Sequence, residues 1–188
     1  MEIRNTVSVN LNFLLFLRNL SKSCEEPEEE NIFPWLPVDR EIFLPPVEFN
    51  TRAKALWNEI AVADSQNGGE DILNWNKKKF AFGSLFQNGA VPPEIIRIFS
   101  TWFWHNFQPL TDVASMQIVS QYGDMLLGYE KKVQKESNIS NMILSLVFTD
   151  PPLGWTFQGE NWLILSCQSA VVNHGKIDEC LKQMCFGV

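Results

Sequence analysis

The chain has 188 residues, of which 45% are hydrophobic and 20% charged, and its formal net charge is −7. A sequence of this size can bury roughly 70% of its unfolded surface, and this composition excludes the low-apolar, high-charge class that stays disordered. The acidic balance sets the global field against polyphosphates, so nucleic acid would have to be held by a local basic patch.

Four cysteines (Cys24, Cys167, Cys180, Cys185) are too sparse for a secreted disulfide scaffold, and reduced thiols are expected. The N-terminal apolar run is interrupted by Asn10 and Asn12 and is followed by no small-residue cleavage site. No stretch approaches the length of a membrane span. These features predict a cytoplasmic protein with no membrane association, in which the sequons at Asn19 and Asn138 are chance matches. Aromatic usage is unusual, with 7 Trp and 14 Phe against 2 Tyr. Rings without polar tips suit a dense core or a buried interface.

Residues 6–17, TVSVNLNFLLFL, alternate with Val7, Val9, Leu11, Phe13, Leu15 and Leu17 on one face, which predicts a strand inside a sheet. An acidic run, Glu25–Glu30 around Pro27, opens a stretch holding five of the ten prolines. Proline removes ladder donors and biases its predecessor toward extended geometry, so an irregular arm is predicted over about 25–49. A helix follows over 51–64, capped by Asn50 or Thr51 and ended by Asn67-Gly68-Gly69. Lys77 to Phe86 has the pattern of a strand stopped by Asn88-Gly89. Pro92 and Pro93 open a helix running to about Phe107, with Pro109 closing it.

Residues 111–135 admit two readings, a capped helix from Thr111 and a hairpin turning at Gly123-Asp124. Residues 141–148, 155–157 and 162–167 read as adjacent antiparallel strands, and 176–185 as a last helix. The predicted fold is a single α+β domain over 1–188, an antiparallel sheet with several packed helices and an extended arm.

No catalytic signature accompanies these elements. Phosphate-loop, HExxH, GxSxG and EF-hand patterns are absent. The spacing of Cys167, His174, Cys180 and Cys185 lacks a tight zinc knuckle, so no metal or other cofactor is expected. An enzyme using Cys167 with His174 or His105 is an alternative whose activating surroundings cannot be read from sequence. Lys77, Lys78 and Lys79 beside Phe80 and Phe82 form the one basic patch with interleaved rings, and support a second alternative, a nucleic-acid-facing subunit.

The first expectation is a non-catalytic interaction protein, a subunit or adaptor of a multi-protein assembly. Its predicted contact residues are Phe33, Trp35, Leu36, Phe43 and Leu44 on the arm, with Trp102 and Trp104, side chains of the type that anchors interfaces.

Overall fold

The computed structural model describes residues 2–25, 38–67, 80–136, 141–157 and 161–167, with the single positions 159, 169, 179 and 182. Strand β1 (Glu2–Val7) passes through Ser8 into helix α1 (Val9–Glu25). A 3-10 turn at Arg40–Ile42 precedes α2 (Pro46–Gln66), and another at Phe82–Leu85 precedes α3 (Pro93–Trp102). A π-helical segment, Phe103–Phe107, connects α3 to α4 (Gln108–Glu136). Strands β2 (Asn141–Val147) and β3 (Trp162–Ser166) follow.

The three strands form one sheet in the order β1-β2-β3, and both pairings are parallel. The antiparallel sheet expected from the sequence is therefore corrected, while the mixture of helix and sheet stands. The 14 residues from 148 to 161 that link β2 to β3 are long enough for a parallel crossover, which needs about a dozen residues. Burial agrees with parallel pairing: every residue from Met142 to Val147 and from Trp162 to Ser166 is buried, the continuous pattern of strands covered on both faces. Residues 155–157, read as a further strand, are irregular.

The strand predicted over 6–17 is also corrected. Only its first residues belong to β1, and from Val9 onward the chain is helical. The reason is physical. Val9, Leu11, Phe13, Leu14, Leu15, Phe16 and Leu17 are all buried, so α1 is covered on nearly every side. A helix buried all round loses the amphipathic period by which helix is told from strand. Fully burying each such ring or branched side chain contributes about 1.5–3 kcal/mol relative to exposure.

The predicted strand at 77–86 is likewise replaced, where described, by the turn at Phe82–Leu85 and one antiparallel bridge, Phe43 with Phe86. Gly83 permits this turn, since a Cβ there would come within 2.3 Å of the Gly89 carbonyl oxygen.

Pro109 does not close the α3 helix as expected. The chain widens into the π-helical segment immediately before it and continues as α4. Proline lacks an N–H and its ring collides with the carbonyl four residues back in a regular helix. A π turn in front of the proline relieves both demands. Residues 111–135, open between helix and hairpin, are helical throughout, with Gly123 and Gly128 inside α4.

Helix α2 begins at Pro46, so the irregular stretch predicted to Phe49 ends earlier, at Pro45. Its last part lies on this chain's own core: Leu44 N–H donates to the Leu85 carbonyl at 3.1 Å, and Gln87 N–H donates to that of Ile42 at 2.9 Å. The rings of Phe13, Phe16, Phe99, Trp102, Phe103, Phe107 and Phe148 form a continuous cluster binding α1 to α3 and the π segment. No helix of the described residues is long and apolar enough to cross a membrane.

Candidate functional site

Because all three strands run the same way, their carboxyl ends share one edge of the sheet, the edge where open parallel sheets take ligands. Ser8 lies there after β1, Phe148 to Asp150 after β2, and Ser166, Cys167 and Ser169 at the end of β3. Two polar constellations are built from these residues.

The first is interior. Ser8 stands between β1 and α1, and its Oγ accepts from the Leu11 N–H at 3.1 Å, which satisfies one of the orphan donors of the helix. The same hydroxyl donates to Asp64 Oδ2 of α2 at 2.6 Å, and both residues are buried. One turn on, the Asn12 amide donates to the Ser8 carbonyl at 2.7 Å and to the Leu146 carbonyl at 3.2 Å. Its Oδ1 accepts from the Phe148 N–H at 2.8 Å. Asn12 thus ties the start of α1 to the end of β2, where the ladder gives out.

In the second, Ser166 and Ser169 are buried while Asp150 is exposed. Ser166 Oγ accepts from the Ser169 N–H at 3.0 Å, the capping geometry again, and donates in a short hydrogen bond to Asp150 Oδ1. Ser169 Oγ donates to the same oxygen at 2.8 Å. Cys167 is half-buried beside these groups, and burial pushes its thiol up to about 11. At neutral pH it is protonated, the opposite of what an activated nucleophile requires. Asp150 holds two hydroxyls in place, and this arrangement orients a turn without generating a nucleophile.

The residues singled out from sequence are dispersed. Phe43 is buried, its ring 5.0 Å from Phe86 and 5.7 Å edge-on from Phe49, and Leu44 is buried beside it. Trp102 is half-buried, stacked on Phe107 at 5.4 Å and edge-on to Phe148 at 5.0 Å. Trp104, also half-buried, meets Phe103 at 4.9 Å. These aromatic side chains are committed largely to intramolecular packing. Phe33, Trp35, Leu36, Lys77, Lys78, Lys79, His174, Cys180 and Cys185 lie outside the described residues. His105 is exposed on the π segment. Among the described residues, no cluster of three or more His, Cys, Asp or Glu side chains is arranged to hold a metal.

Sequence reasoning missed Ser8, Asn12, Asp64, Asp150, Ser166 and Ser169. A serine at the end of an apolar strand pattern is a capping signal for Ser8 and Ser166. The carboxylate partners are invisible at this level, since Asp64 is 56 positions from Ser8.

No protein-family model matches this chain, and neither a curated protein nor a solved structure shows significant similarity to it.

Proposed function

We propose that the protein is a non-catalytic interaction protein, a subunit or adaptor of a multi-protein assembly, and that the outward face of α4 is a principal contact. One observation carries this reading. On α4, Thr111, Ala114 and Ile118 are buried, whereas Val113, Met116 and Leu127 project from the opposite side of the helix, with Leu110 on the flank. Met116 is 72% exposed and Leu110 62%. Isolated surface apolar residues are ordinary, but Leu110, Val113 and Met116 lie within two turns of one helix, with Leu127 on the same face beyond Ser120 and Gly123, and such a patch suits another helix. Val113, Met116 and Leu127 therefore suit a protein partner presenting its own amphipathic helix.

The arm residues Phe33, Trp35 and Leu36 belong to the same reading as a second contact. Phe43 and Leu44 support it only indirectly, by seating the end of the arm on the core.

The test is the size of the tagged protein isolated from its native host at gentle salt, by light scattering after size exclusion. A stoichiometric complex that V113E/M116E dissociates, while Leu153→Glu on an exposed loop leaves it intact, supports the reading. A free chain of 21.6 kDa, or a complex indifferent to the α4 variant, overturns this assignment of the contact.

A further inference from the structure

Between α1 and the first turn of α2 lies a pocket of about 90 Å³, lined by Arg18, Ser21, Lys22, Pro46, Phe49 and Asn50. Among the described residues that line it, two are cations, Ser21 and Asn50 offer neutral donors, and none is a carboxylate. Arg18 and Lys22 are four positions apart on α1, so they share a helix face, and both attract an anion placed between them.

Arg18 is half-buried, and its own contacts leave it undersupplied with acceptors. Its Nε–H is buried without a partner. One terminal nitrogen donates to Asn19 Oδ1 at a long 3.4 Å, and the guanidinium carbon sits 5.9 Å from the centre of the Trp155 ring. No ion pair to Arg18 occurs among the described residues. Burial without a counter-charge lowers its pKa from the usual arginine value. The N-terminal end of α2 forms the opposite wall and adds positive partial charge from a 21-residue helix.

The pocket is small and opens to solvent, so it suits a compact anion such as one tetrahedral oxyanion. We propose that this pocket binds a single phosphoryl-sized oxyanion, either free phosphate or the phosphate end of a small monoester, gripped by Arg18 and Lys22. Arginine's planar fork suits bidentate contact with two phosphoryl oxygens, and lysine supplies a point charge. The site is independent of the α4 face and does not depend on the interaction reading.

Isothermal titration of the full chain with inorganic phosphate, and separately with glycerol 2-phosphate, tests the proposal. Saturable binding is expected, tightening as pH rises through the second ionisation of each probe, about 6 for a monoester and higher for inorganic phosphate. R18Q should weaken it by about 10-fold or more and K22Q by about 3-fold, in line with loss of charge-assisted hydrogen bonds. Arg52→Gln, which removes a cation paired to Glu48 at 2.6 Å, should leave binding unchanged. Tighter binding of glycerol 2-phosphate identifies a monoester site, and equal or tighter binding of inorganic phosphate identifies a site for the free anion. Absence of saturation up to about 20 mM phosphate, far weaker than a 1 mM site of about −4 kcal/mol, overturns the proposal. So does a loss in Arg52→Gln equal to that in R18Q. Circular dichroism establishes that R18Q is folded; if it is not, K22Q decides, and unchanged affinity there overturns the assignment.

Discussion

The two serine-capped exits from the sheet use the same local device, but the carboxylate partner is buried at one and exposed at the other. At the end of β1, Ser8 caps α1 and donates to Asp64, and the whole group is buried. At the end of β3, Ser166 caps the turn to Ser169 and donates to Asp150, whose residue is exposed. In each case a hydroxyl accepts from a backbone N–H and donates to a carboxylate. The difference lies in what happens if the hydroxyl is lost. Solvent reaches the carboxylate of Asp150 but not that of Asp64, and burial of the carboxylate rather than bond geometry therefore decides which site is the stronger structural lock.

The largest break in this comparison is expected from Asn12→Leu. The substitution leaves the buried Leu146 carbonyl and the Phe148 N–H without their partner, and each orphaned group costs about 1–3 kcal/mol. A loss of about 3–5 kcal/mol is expected in urea denaturation. A loss below about 1 kcal/mol would mean that β2 ends securely without α1.

Next comes the direct contrast between the two serines. Ser8→Ala removes a cap and a buried donor to Asp64, for about 2–4 kcal/mol. Ser166→Ala removes a cap beside a carboxylate that solvent reaches, for about 1 kcal/mol. Equal losses in the two variants would sink the argument from burial.

The smallest effect concerns Cys167, beside the second exit. Its thiol is raised from 9.0 to about 11 by burial. The unfolded thiol ionises first, so the contribution to stability is fully present below about pH 9 and is lost as pH rises toward 11. Cys167→Ala should remove that alkaline slope, read from denaturation midpoints at several pH values. In the native protein, maleimide labelling of Cys167, followed by peptide mass spectrometry, should stay slow through pH 8. Rapid labelling at pH 7 would show an activated thiol and revive a nucleophilic role.

Much of the candidate site was out of reach of sequence reasoning for a common reason. Ser8, Asn12 and Ser166 carry capping and turn chemistry that can be read locally, but their roles depend on Asp64, Phe148 and Asp150, which only the fold brings near. In the sequence, Arg18 is a single charge that follows the apolar run of residues 13–17. Its significance comes from α2 and Trp155, which surround it and supply no counter-charge.

What the amino-acid sequence determined by itself was where the chain must change state and where it must be apolar. Pro93 at the start of α3, Asn67 at the end of α2, and the apolar runs of β2 and β3 all act through local sterics or local burial demand. Only the tertiary structure decided that 9–17 is helix, because burial on every side erases the period that separates helix from strand. It also decided that β2 and β3 run parallel, because a continuous apolar run marks a buried strand of either a parallel sheet or a sandwich core. And it carried α4 past Pro109, Gly123 and Gly128 as one helix, where a π turn and packing on neighbouring elements outweighed propensities worth about 1 kcal/mol at each glycine.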